Sequence, residues 1–182
     1  MSRLPTRDEA LALLKAHVRS EYTLRHSLAT EAVLRALARR LGHDEDAWGI
    51  AGLLHDLDFE DVAGDPKRHG LVTADLLRAM DCPPEACDAI IAHNGDSLGV
   101  PCRTPLDYAL TAGESVTGLV FAMALVLPSK AVADVKASSI RKRLREPRFA
   151  ANVSRERVGQ FAGLGLSEED FLDLAVAAMK TI

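Results

Sequence analysis

Aromatic side chains are scarce in this sequence. One Trp, two Tyr and five Phe make up 4% of 182 residues, while the hydrophobic content reaches 48%, most of it alanine and aliphatic. Sheets draw on aromatic and β-branched residues, and Ala and Leu are better helix formers, so the shortage counts against a twisted sheet and predicts an all-α fold. Cysteine is also rare: Cys82, Cys87 and Cys102 are odd in number and show no C-x-x-C spacing. Neither a disulfide framework nor a thiolate zinc site is indicated, and a reducing cytoplasm is the expected home. Positive charge is not in excess. A formal charge of −4 and a pI near 5.9 argue against wholesale binding to DNA or anionic membrane, since neither polyanion attracts a net-negative surface. Long apolar runs are missing too. The N-terminal "MSRLPTRDEA" lacks the oily core of a signal peptide, and the most apolar segment, residues 116–127, is shorter than the roughly 20 residues of a membrane span. A soluble, cytoplasmic protein of open oligomeric state is expected.

What is present is a series of capped, amphipathic segments in a chain of the length of one medium domain, residues 1–182. Thr6 and Glu9 form a capping box ahead of a helix over about 7–19. A longer helix over about 24–41 carries His26, Thr30, Val33 and Leu37 on one face and stops at Gly42. Asp44 caps a third that runs through Trp48, Ile50, Leu53 and Leu54 into His55, before a loop at Gly64, Asp65 and Pro66. Residues 69–80 again place a histidine, His69, at the head of an apolar stripe. Pro83 and Pro84 open a helix in which Ala86, Ala89, Ile90 and His93 share a face, and Thr104 with Pro105 starts one that carries Glu114 among oily neighbours. Pro128 closes that region. Basic residues then crowd residues 130–148, and Ser167 caps a terminal amphipathic helix suited to covering the core or pairing with another subunit.

A single inward histidine is more often a structural imidazole than a ligand. Here His26, His55, His69 and His93 all head or close apolar faces, and Asp56 and Glu114 are acids in oily surroundings where an unpaired charge is seldom tolerated. A shared cation satisfies all of them. Imidazole and carboxylate are the ligand set of zinc, manganese, iron and similar ions, and a carboxylate such as Asp56 can bridge two. Consecutive residues in a helix project about 100° apart, so His55 and Asp56 converge on one site only if the helix ends there.

In this order of residues the chain resembles the HD-domain superfamily of metal-dependent phosphohydrolases. The signature is a histidine (His26), an adjacent pair (His55, Asp56) and a later acid (Glu114), with His69 in "KRHG" and His93 in "IIAHN" completing the dinuclear pattern. The likeness spans about residues 20–130. The tail "LPSKAVADVKASSIRKRLREPRFAANV" also resembles a bacterial subgroup often labelled by the HDIG motif, and a C-terminal helical extension over about 131–182 follows the metal-site core. Two departures stand out: "HDLD" replaces HDIG, and Glu114 replaces the usual aspartate, which lengthens that ligand by a methylene. The resemblance implies a helical bundle of the HD type, one or two divalent ions (Mn, Fe, Zn, Co, Ni or Mg), and hydrolysis of a nucleotide or other small phosphorylated substrate by metal-activated water.

Around that centre Asp56, Asp58 and Glu60 are candidates for orienting water or acting as general base, alongside Asp61, with a solvated acidic loop as the alternative. Lys67 is a candidate to act on the substrate phosphate, and Arg68 and Lys130 to bind it, as is the basic run from Arg141 to Arg148, unless these are ordinary surface charges. Two other readings accompany the hydrolase: a non-catalytic metal or nucleotide-binding module, favoured by Glu114, and a mixed-valent di-iron oxygenase of the same superfamily.

Overall fold

A computed structural model describes residues 3–63 and 65–182, and these form helices and turns with no strand among the described residues. Helix α1 (Arg7–His17) starts as its capping box predicts: Glu9 N–H donates to Thr6 Oγ1, and Thr6 N–H donates to the Glu9 carboxylate. Helix α2 (Glu21–Leu41) begins a turn earlier than its apolar pattern indicates, because Ser20 caps it by accepting from Thr23 N–H. Gly42, at φ 76°, ends it. Helix α3 (Glu45–Leu54), capped by Asp44, is buried along its length from Trp48 to Leu54 and packs along α2. Gly52 permits that approach, since a Cβ there would stand 3.1 Å from the Thr30 carbonyl. The helix ends at Leu54, so His55 and Asp56 lie in the following turns, where adjacent side chains are free to converge. Gly64, expected in the loop behind them, lies outside the described residues.

Helices α4 (Leu71–Ala79), α5 (Pro84–His93), α6 (Gly95–Leu98) and α7 (Pro105–Val126) follow. The apolar periodicity predicts a start at His69, but α4 starts at Leu71 because Gly70 takes φ 83° and turns the chain out of the helical path. His69 therefore sits on a turn. Helix α7 corrects another expectation: its 22 residues are long and apolar enough, by length and composition, to cross a membrane. Most of it is enclosed by protein instead, with Leu106, Leu110, Val116, Leu119 and Val120 buried against α2, α5 and the C-terminal elements.

The C-terminal part consists of a 3-10 turn (Val132–Asp134), α8 (Ala137–Leu144), α9 (Arg155–Val158), a second 3-10 segment (Gly159–Leu164) and α10 (Glu168–Met179). Phe171, Leu172, Ala175, Val176 and Met179 of α10 are buried in the same apolar cluster as Ala10, Leu34, Leu54 and Leu110, so the terminal helix covers the core of its own chain. The basic run is largely paired: Arg141 and Arg145 meet Glu168, Arg141 also meets Glu169, and Arg143 meets Glu146. The pairs of Arg141 and Arg145 join α8 to α10 and that of Arg143 is local, so these three arginines of the expected phosphate-binding run already face carboxylates.

Candidate metal centre

Four elements deliver imidazoles to one place: His26 from α2, His55 from the end of α3, His69 from the turn before α4, and His93 from the last residue of α5. Each ring is fixed through Nδ1. His55 donates to the Gly52 carbonyl at 2.8 Å, and His93 donates to the Ile90 carbonyl. His69 donates to Asp58 Oδ1 at 2.8 Å. His26 donates to Thr117 Oγ1 at 2.8 Å, because that hydroxyl already gives its own proton to the Glu114 carbonyl at 2.7 Å. With the proton of each neutral ring on Nδ1, its Nε2 offers a lone pair inward.

Those nitrogens stand close: His26 Nε2 to His55 Nε2 is 3.1 Å, and His69 Nε2 to His93 Nε2 is 3.0 Å. Two lone pairs at that separation repel unless positive charge lies between them. Two nitrogens each about 2.0–2.1 Å from one ion stand roughly 2.9–3.4 Å apart, so the observed spacing fits a shared cation.

Asp56 lies between the pairs and is buried. Its Oδ2 is 3.6 Å from His26 Nε2, while Oδ1 is 3.4 Å from His55, 3.3 Å from His69 and 3.7 Å from His93. The oxygens thus face different histidines, as a bridging carboxylate requires. Glu114 Oε2 reaches within 3.9 Å of His26 Nε2. Donor atoms of His26, His55 and Glu114 form one compact group and those of His55, Asp56 and His93 another, with His69 flanking the second.

The electrostatics suit the same role. Burial favours the neutral form of His26 and His55 and lowers both, although Asp56 opposes it. Burial alone would push Asp56 up, but the surrounding histidines overcome this and hold it ionised, well below the usual carboxylate range. His69 goes the other way: burial lowers it, yet Asp56 and Asp58 together raise it to about 9. In the metal-free protein a proton on His69 fills the place that a cation would take.

With this geometry in view, the profile of the HD domain family matches residues 23–121, more than half of the chain. The chain belongs to the HD domain family. Among curated proteins it is similar to ribonuclease Y of Oleidesulfovibrio alaskensis, 32% identical over 102 residues, and to ribonuclease Y of Nitratidesulfovibrio vulgaris, 34% identical over 103 residues. Each match covers 54% of this chain and 18% of the relative, so the chain spans only a small part of the curated relatives' length. No solved structure matches it.

Around the HD centre the structure redistributes the other expected residues. Asp58 is buried with both oxygens engaged: Oδ1 accepts from His69, and Oδ2 accepts from Gly70 N–H and Thr73 N–H at 2.9 Å each. Burial raises it, but these donors more than offset that and keep it ionised. It positions His69, which corrects the expectation of a general base. Glu60 faces away and accepts from the backbone N–H groups of Arg19 and Ser20, joining the turn to the start of α2. Asp61 lies beside His17 of α1. Lys67 donates to the Ser97 carbonyl at 2.6 Å rather than facing the centre, and Arg68 is exposed on the same turn. Lys130 lines a cavity beside the centre.

Sequence reasoning missed Arg157. Its guanidinium, on α9 and outside the matched HD region, donates to Glu114 Oε1 at 2.5 Å and to the His93 carbonyl at 2.6 Å. Ser115 Oγ also donates to Glu114 Oε1, at 2.5 Å. One Glu114 oxygen is held while the other turns to His26, so the longer side chain is placed by a residue from the C-terminal part. The basic run of the sequence drew attention to residues 141–148, but nothing local distinguishes Arg157 from its neighbours.

Proposed function

We propose that this chain is a metal-dependent phosphohydrolase acting on a nucleotide or other small phosphorylated metabolite, as membership of the HD domain family and the chemistry of the centre both favour. One observation carries the reading: imidazoles pinned through Nδ1 turn their Nε2 atoms to one buried carboxylate, whose Oδ2 lies by His26 and whose Oδ1 faces His55, His69 and His93. A divalent ion bound there supplies charge neutralisation at phosphoryl oxygens and lowers the pKa of bound water towards neutrality. His26, His55, His69, His93, Asp56 and Glu114 would hold it. Asp58, Thr117, the Gly52 and Ile90 carbonyls and Arg157 fix the orientation of those ligands. The edges of His26, His69, Asp56 and Glu114 are partly exposed, which leaves an approach for a phosphate.

Glu114 bears on the non-catalytic alternative. Its extra methylene would weaken the site if the side chain were loose, but Arg157 and Ser115 restrain it, which favours an intact site. The relatives' name, ribonuclease Y, makes a phosphodiester a sensible member of any substrate panel. The test is phosphate or nucleotide release from nucleotides, sugar phosphates and short RNA by protein reconstituted with manganese or iron. Release that disappears in Asp56→Ala supports the hydrolase. Silence across the panel by metal-loaded protein overturns it in favour of the binding module, or of the oxygenase if iron is retained and oxygen consumed.

A further inference from the structure

Beside the metal centre lies a cavity of about 330 Å³, within the size range of small-molecule sites, which the ligand set does not use. Tyr22, Phe121 and Leu125 supply its apolar surface, and Arg25 and Lys130 its cations, with Glu21 the one acid on its lining. Tyr22 is 64% exposed and Leu125 69% exposed, although both are large side chains in a protein poor in aromatics. The Tyr22 and Phe121 rings lie 6.3 Å apart and tilted by 57°, forming the two walls of a wedge, and the Arg25 guanidinium sits 5.6 Å above Phe121. Lys130 holds the left-handed backbone conformation, φ 52°, which is unusual for a non-glycine residue and directs the chain at the cavity rim.

One face of α2 links the lining of the cavity to the centre. Tyr22 and His26 are one helical turn apart on the same face, and their rings are nearly parallel, 7° between planes at 6.4 Å. Burial and the Asp56 and Glu114 carboxylates make the Tyr22 phenol hold its proton more tightly, as expected for a group beside them. Whatever rests on Tyr22 is therefore about one helical turn, roughly 5 Å, from the ligand histidine.

We infer that this cavity receives the base of a nucleoside phosphate, stacked against Tyr22 and Phe121, with Arg25 and Lys130 attracting the anion and its phosphate directed to the histidines. The inference rests on the phosphohydrolase reading and narrows its substrate class. A sugar phosphate would use the cations and leave the aromatic wedge idle, whereas a planar base uses both. Stacking on an aromatic side chain is sequence-tolerant, so a preference for bases in general over none is expected, more than for one base over another.

The test compares adenosine monophosphate with ribose 5-phosphate, by turnover and by calorimetric binding, on the metal-loaded full chain. Wild type should favour the nucleotide by tenfold or more in kcat/KM and in affinity, the scale of one stacked base. Tyr22→Leu should collapse that ratio towards one, and Tyr22→Phe should restore it. Tyr22 is largely exposed, so neither variant threatens folding. Equal use of both substrates by wild type, or a ratio unmoved in Tyr22→Leu, would overturn the inference while leaving the hydrolase intact. Base-dependent binding that Tyr22→Leu abolishes, without turnover of any substrate, would support the pocket and overturn the hydrolase.

Discussion

Asp58→Asn separates a positioning role from a catalytic one. In the native protein Oδ2 accepts two backbone N–H groups and Oδ1 accepts the Nδ1–H of His69, all at 2.8–2.9 Å and away from solvent. Asparagine has one oxygen and one NH2. If the oxygen stays on the Gly70 and Thr73 amides, the NH2 confronts Nδ1–H, and His69 must move its proton to Nε2, the atom that should bind metal. If the amide flips, His69 is served but two buried N–H groups face a donor, at about 1–3 kcal/mol each. The first arrangement costs less, so metal affinity should fall about 10- to 100-fold, or roughly 1.4–2.7 kcal/mol. Manganese titration by calorimetry, with the melting temperature recorded with and without metal, measures both. The metal-bound protein should lose more stability than the metal-free one. Metal affinity within twofold of wild type, together with a collapse of turnover, would refute the reasoning and return Asp58 to the role of general base.

Gly70→Ala places a Cβ at positive φ and 2.8 Å from the Ile90 carbonyl oxygen, which accepts the His93 Nδ1–H bond. A loss of about 2 kcal/mol or more is expected, a drop of roughly 4–8 °C in melting temperature by calorimetric scan; an unchanged scan would contradict the turn geometry. Arg157→Ala leaves Glu114 Oε1 held by Ser115 alone and should weaken one metal by about tenfold, with Arg157→Lys restoring part of it, so a binding isotherm identical to wild type would exclude the tether. Metal uptake should weaken as pH falls below about 9, because His69 must lose its proton to bind, and proton release on loading, read in buffers of different ionisation heat, checks this. In the metal-free protein the raised His69 contributes stability that is complete below about 6.5 and lost as pH rises through about 9. A metal-free melting temperature that rises over that window would argue against the Asp56–His69–Asp58 arrangement.

Much of this molecule is legible locally. Capping by Thr6, Asp44, Thr104 and Ser167, the stop at Gly42, and the convergence of His55 and Asp56 beyond a helix end all follow from side chains acting within a few residues. The order of histidines and acids is equally a sequence property, because a ligand set is defined by residue type before it is defined by place. Three readings failed where the deciding partner is remote in sequence or unmarked by apolar pattern. Helical periodicity runs through His69, but Gly70 packs on Ile90 and breaks it. Glu60 and Asp58 look alike in an acidic loop, yet one meets the amides ahead of α2 and the other meets His69 and the start of α4.

Residue type and spacing thus determined that this chain is helical, that it belongs with HD domain proteins, and which side chains are candidate ligands. Tertiary structure alone decided which acids face the centre, which basic residues are paired, and that Arg157 orients Glu114 from 43 residues away. The reason is physical: helix formation and capping are short-range and are encoded in adjacent side chains, whereas the direction of a buried charge is settled only by which distant donor the packing brings within hydrogen-bond reach.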